Sequence, residues 1–96
     1  MERTNSVRQL DLRYIAHVTM VTGTLEESYQ TDVSTVRELL DGLDARYSGF
    51  RDIFVNPETG QMNLNAMIYY SDVGEVPVSI IDLDHAINDG GTVTFW

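Results

Sequence analysis

The strongest local signal in the chain is STVRELLDGLDARYSGF, residues 34–50, which has the spacing of one amphipathic helix. Thr35 followed by Glu38 is a capping box, in which the threonine oxygen and the glutamate each satisfy a backbone donor left free in the first turn. Val36, Leu39, Leu40, Leu43 and Tyr47 recur along one face, while Arg37, Glu38, Asp41, Asp44 and Arg46 point away from it. Gly49 stands where a helix end needs a left-handed residue. The internal Gly42 costs about 1 kcal/mol against alanine, which is tolerable when the apolar stripe packs well. Such a helix must lay its stripe on a second layer, and the rest of the chain reads as strands.

Residues 1–12 are polar without a sustained period and are expected to form a flexible arm, leaving residues 13–96 as the folded domain. YIAHVTMV, from Tyr14, is rich in β-formers and alternates, with Tyr14, Ala16, Val18 and Met20 toward a core and Ile15, His17, Thr19 and Val21 away from it. TGTLEE supplies a short glycine turn into a second strand, SYQTDV. After the helix, NPETGQ is a turn and LNAMIYY a strand, with Leu64, Ala66, Ile68 and Tyr70 on one face and Asn65, Met67 and Tyr69 on the other. VPVSIID fits a short edge strand, because Pro77 cannot donate to a central ladder. Leu83 and Ile87 suggest a single helical turn before a structural turn at Gly90 and Gly91, and TVTFW closes the chain as a strand. The order is strand, strand, helix, strand, short strand, strand. It predicts an α+β fold with a mixed sheet of four to five strands, one main helix packed on one face, and the last strand buried beside the first.

Ninety-six residues suffice for one domain, which hides roughly 60–70% of the surface its unfolded chain exposes. Fifteen acidic against six basic residues give a net charge of −9, which repels nucleic acid and anionic membranes and attracts basic protein surfaces. The chain has no cysteine, so disulfides, thiolate metal sites and cysteine nucleophiles are excluded. The polar start lacks the apolar segment of a secretory signal, and no apolar run approaches the ~20 residues of a membrane helix. A soluble, cytoplasmic protein is expected.

The ordered succession of TVRELLDGLDARYSGFRDIF, NPETGQ before a strand, and LDHAINDGGTVTF resembles the β-grasp sulfur-carrier family. That family includes the small subunit of molybdopterin synthase, the thiamine sulfur carrier and their ubiquitin-like relatives. The resemblance spans about residues 14–96. Leu83, Ile87, Asp89, Gly90, Val93 and Phe95 fit the family's closing segment, while Gly91 stands where a second aspartate is usual. It implies a ubiquitin-like β-grasp fold and a protein whose extended C-terminal Gly-Gly is adenylated by an E1-like enzyme and converted to a thiocarboxylate. The sulfur then passes to a molybdopterin precursor, a thiazole or a tRNA base. Here the usual tail does not follow the last strand, and the internal Gly90-Gly91 pair has no free carboxylate. The expectation is therefore a carrier-like protein that docks without carrying a thiocarboxylate in this tailless form. TGTLEE also makes the first connection short, as in the thiamine-type carrier, whereas molybdopterin-type carriers have a longer one with a helical piece.

Asp82, Asp84, His85 and Asp89 have the composition of a hard-metal loop but lack the glycine and the twelfth-position glutamate of a calcium hand, so they read as a turn, with no metal and no cofactor. His17 has no recognisable nucleophile constellation around it, and nothing specifies an acid–base cleft, so no enzyme is expected. The more pointed expectation is a partner-binding sheet face away from the helix, made of Ile15, His17, Thr19, Met67, Tyr69, Thr94 and Trp96. Aromatic and methionine side chains on such a face are the kind enriched at interfaces. The resemblance implies an E1-like adenylyltransferase or the large subunit of a cofactor synthase as partner in molybdopterin, tungstopterin or thiamine-type pathways, and an exposed Trp96 would also allow a homodimer. The competing expectation is a ubiquitin-like structural or regulatory interaction module unrelated to sulfur.

Overall fold

The computed structural model describes residues 7–96. Strand β1, Arg8–Tyr14, is followed by a 3-10 turn at Ala16–Val18, a single-turn helix α1 at Thr19–Thr22, and strand β2 at Glu26–Thr31. Helices α2, Val36–Arg46, and α3, Phe50–Phe54, come next, and then strands β3, Ile68–Ser71, β4, Val78–Ser79, and β5, Thr92–Phe95. The five strands form one mixed sheet in the order β2-β1-β5-β3-β4, with β5 parallel to β1 and the other neighbours antiparallel. The last strand thus lies beside the first, and α2 and α3 cover one face.

In α2 the apolar stripe behaves as its spacing predicts: Val36, Leu39, Leu40 and Leu43 are buried. Thr35 accepts a hydrogen bond from the backbone N of Glu38 at 3.3 Å. The return half of the box shifts by one residue, with Glu38 Oε1 accepting from the N of Ser34 at 2.9 Å and from its hydroxyl at 3.1 Å. Those donors hold the Glu38 carboxyl below its ordinary range. Gly49 has φ +87°, but it precedes α3 rather than capping α2, whose last turn ends at an extended Tyr47. Phe50 and Phe54 of α3 sit between α2 and the sheet, where Phe50 meets Phe95 edge-on at 5.1 Å and Tyr14 stacks on Phe95 at 5.8 Å. Each fully buried side chain of this size contributes about 1.5–3 kcal/mol of transfer free energy.

The N-terminal expectations need correction. The arm expected over residues 1–12 lies outside the described residues up to position 6, but from Arg8 the chain is strand, and β1 pairs with both β2 and β5. Its sequence RQLDLRY alternates, burying Leu10, Leu12 and Tyr14 while Gln9, Asp11 and Arg13 face outward. The outward charges disguise a central strand as a polar arm. Conversely, the strand expected over Tyr14–Val21 ends at its first residue, since Ala16 takes φ 56° and the chain coils into the turn and α1. The first connection is therefore neither short nor a plain hairpin: it runs from Ile15 to Leu25 and carries a helical piece, the feature that the resemblance ascribes to molybdopterin-type carriers. In LNAMIYY only the second half is strand, with Leu64 fully exposed and Ile68 and Tyr70 buried. β4 is a two-residue edge strand as expected. Leu83 and Ile87 are buried without a helical turn between them; Ile87 N instead donates to Ser34 O, beside the bridge between Thr35 and Ala86.

Candidate docking surface

Helices cover one side of the sheet, so every second residue of β1, β5 and β3 faces away from them. Register places Thr94 between Arg13 and Tyr69, with Ser79 beyond Tyr69, in one row across this outer face. One step further along, Ile15 N donates to Phe95 O and Trp96 N donates to Met67 O, both at 2.9 Å, so Ile15, Trp96 and Met67 form the adjoining row. The Tyr69 hydroxyl reaches the Met67 sulfur at 3.5 Å. Met67 and Trp96 are 44% and 41% exposed, a large apolar area for neighbouring positions at a sheet end. Five of the expected residues are thus brought together: Ile15, Met67, Tyr69, Thr94 and Trp96.

His17 and Thr19 are placed elsewhere. Both lie in the helical first connection rather than on a strand, so their alternation with Ile15 has no structural meaning. Thr19 Oγ1 donates to Ala16 O at 2.7 Å, closing that turn. His17 lines an open cleft of about 620 Å³ with Asn56, Gln61, Asn63 and Asn65.

The DGG segment zips onto the start of β1. Gly90 has φ +83° and its N donates to Gln9 O at 2.8 Å, while Asp89 Oδ1 accepts from Gln9 N at 2.7 Å. Gly91 O accepts from Asp11 N at 2.9 Å. A Cβ on Gly91 would lie 2.6 Å from the Tyr70 ring, so the second glycine is required by close packing and not by its dihedral angle. The Tyr70 hydroxyl donates to Asp72 and accepts from Asn88 N at 2.7 Å, tying the turn to β3.

The other acidic candidates have internal partners. Asp84 bridges to Arg37 at 2.9 Å, Asp82 accepts from Asp84 N at 2.9 Å, and His85 Nδ1 lies 2.8 Å from Ala86 O. Among the described residues no group of three or more His, Asp or Glu is arranged to hold a metal ion, and no helix is long and apolar enough to cross a membrane.

Sequence reasoning missed two features. Glu27, on the inward parity of β2, accepts from the hydroxyls of Tyr14 and Tyr47 at 2.6 and 2.7 Å and pairs with Arg46 at 3.1 Å. Its sequence signal is a carboxylate two residues before Tyr29 on a half-buried face. Leu64 and Ile81, assigned to strands, are instead 100% and 88% exposed near Met67.

No protein-family model matches the chain, and no curated protein sequence does. Among solved structures it is similar to the solution structure of the Haloferax volcanii HVO 2177 protein, at 20% identity and TM-score 0.74, over 99% of this chain and 87% of that one. It is also similar to the crystal structure of SAMP1 from Haloferax volcanii, at 17% identity and TM-score 0.70, over 92% of each chain. A further crystal structure, of H. volcanii small archaeal modifier protein 1, aligns at 17% identity and TM-score 0.71, over 92% of this chain and 94% of that one. With the last strand parallel to the first and α2 across the sheet, these likenesses establish the architecture: the chain has a ubiquitin-like β-grasp fold.

Proposed function

We propose that this protein is a sulfur-carrier-like β-grasp protein of a molybdopterin-, tungstopterin- or thiamine-type sulfur-transfer system, and that it acts by docking onto a protein partner rather than by catalysis. The observation that carries the reading is the outer sheet face, where Ile15, Met67, Tyr69, Thr94 and Trp96 form two adjoining rows on the side away from α2 and α3. Aromatic and methionine side chains concentrated in an otherwise charged surface are characteristic of interface centres. The partner is an E1-like adenylyltransferase or the large subunit of a cofactor synthase. The −9 charge draws such a partner in by its basic regions.

Within this chain Gly90-Gly91 is not a site of carboxylate activation. Both peptide units are engaged with β1, and Gly91 is packed under Tyr70. The pair shapes the turn from which β5 starts.

Two measurements test the proposal. Titration of a purified E1-like enzyme with wild-type protein and with the Tyr69→Ser, Trp96→Ser variant should show binding that the variant loses while keeping its fold; equal binding by both overturns the docking face. Incubation with the same enzyme, ATP and a persulfide sulfur donor, followed by peptide mass mapping, should leave the Gly90-Gly91 peptide uncleaved and unmodified. Binding without any link to a sulfur pathway would favour a ubiquitin-like interaction module of another kind.

A further inference from the structure

The chain's fifteen acidic and six basic residues leave four runs of six or more residues without Asp, Glu, Lys or Arg: residues 14–25, 59–71, 76–81 and 90–96. The fold brings all four to one end of the sheet. Tyr14 N donates to Leu25 O, Ile15 N to Phe95 O, Trp96 N to Met67 O and Ile80 N to Ile68 O, so each run is tied to another across that end. Leu64, Met67 and Ile81 line a shallow groove there of about 210 Å³. Leu64 is 100% exposed and Ile81 88%, so no part of the core requires them to be apolar; Met20 and Leu25, also exposed, lie in the first connection, toward the opposite, β2 edge of the sheet. Exposed apolar side chains grouped where charge is absent mark a contact surface, because charge is what is depleted from interface centres and what keeps the remaining surface from associating.

Resting on the docking reading above, we propose that this uncharged end, centred on Leu64 and Ile81, is where the partner is gripped, and that the partner presents an apolar centre ringed by basic side chains. The partner's chemistry follows from the rim. Glu26 closes the first run after Leu25, Glu58 precedes Thr59, and Asp82 follows Ile81; all three are exposed. Two cations lie near this end and each has an acidic neighbour: Arg13, before Tyr14, has Asp11 at 3.6 Å, and Arg37, which lines a pocket with Ile81 and Asp82, bridges to Asp84 at 2.9 Å. A second copy fits poorly, since two chains of charge −9 would bring these acidic rims together. A basic-rimmed partner gains from the same charges, while Leu64 and Ile81 supply apolar contact that charge alone cannot.

The test pans a random peptide display library against the full chain. Peptides combining apolar residues with Arg or Lys should be enriched, and Leu64→Glu with Ile81→Glu should weaken their binding by about tenfold or more. Because both side chains are exposed, the variant should keep the wild-type circular dichroism and melting temperature. Replacing Glu26, Glu58 and Asp82 by arginine should shift the selection toward acidic flanks. The inference is overturned if the selected peptides bind the Leu64→Glu, Ile81→Glu variant as well as wild type, if no such peptides emerge, or if sedimentation shows a dimer that Leu64→Glu abolishes. Binding lost instead through Tyr69→Ser with Thr94→Arg would leave docking on the sheet face and refute this site alone. Binding insensitive to both variants would remove both.

Discussion

The hydroxyls of Tyr14 and Tyr47 converge on one carboxylate oxygen, Oε2 of Glu27, at 2.6 and 2.7 Å, which joins β1 to the end of α2. Arg46 holds the other oxygen at 3.1 Å and lies over the Tyr29 and Tyr47 rings. A charged acceptor with several donors is worth more than a neutral pair, and an orphaned donor costs its full desolvation. Glu27→Gln should therefore destabilise the protein by about 1–3 kcal/mol in urea unfolding, with unchanged m-value. A change within error would show that water already serves these groups.

Three tyrosines are poised to oppose unfolding only below alkaline pH. Burial, and then Glu27, pushes the Tyr14 and Tyr47 phenols above their ordinary 10.0, and burial followed by Asp72 does the same for Tyr70. The folded state thus keeps protons that the unfolded state releases near pH 10. Stability should be full below that pH and fall as pH rises beyond it. Absorbance titration should show these phenols ionising together with loss of circular dichroism; ionisation of all tyrosines before unfolding would contradict the burial.

Acid should act through Glu38 and Asp72. Ser34 lowers the Glu38 carboxyl, and Tyr70 followed by Asn88 lowers that of Asp72. Groups depressed in the folded state stabilise it above their ordinary values of 4.5 and 3.8, and that contribution is lost as pH falls through the folded values. Below about pH 4.5 the melting temperature of Glu38→Gln with Asp72→Asn should fall less steeply than that of wild type. Parallel slopes would sink the assignment.

Gly91→Ala should cost about 1–3 kcal/mol, since its Cβ would stand 2.6 Å from the Tyr70 ring. In a Tyr70→Ala background the same change should cost much less. Equal costs in both backgrounds would mean that the backbone, not the ring, resists the methyl group.

Thr35→Ala should destabilise by about 1 kcal/mol through loss of the α2 cap, measurable by thermal unfolding.

Residues in α2 were legible because their partners lie within one or two turns. The stripe from Val36 to Leu43 and the Thr35 cap are defined by neighbours three and four positions away, and TVTF alternates cleanly enough to place Val93 and Phe95 inward. β1 was not legible. RQLDLRY and YIAHVTMV both alternate, and the choice between them depends on which one finds β2 and β5 at hand. Of the residues expected on the outer sheet face, Met67, Tyr69, Thr94 and Trp96 could be placed from strand parity, whereas His17 and Thr19 could not, because a positive φ at Ala16 ends the parity before it reaches them.

By itself the sequence determined the local elements: one capped helix, the turn at Asn56–Gln61, a closing strand and an acidic surface without cysteine. Only the tertiary structure decided that Arg8–Tyr14 is central, that Gly91 must lack a side chain beneath Tyr70, and that four uncharged runs meet at one end of the sheet. Helix periodicity is satisfied within a few residues. Strand pairing and surface assembly are settled between segments as much as 81 positions apart, where no local pattern reaches, as between Gln9 and Gly90.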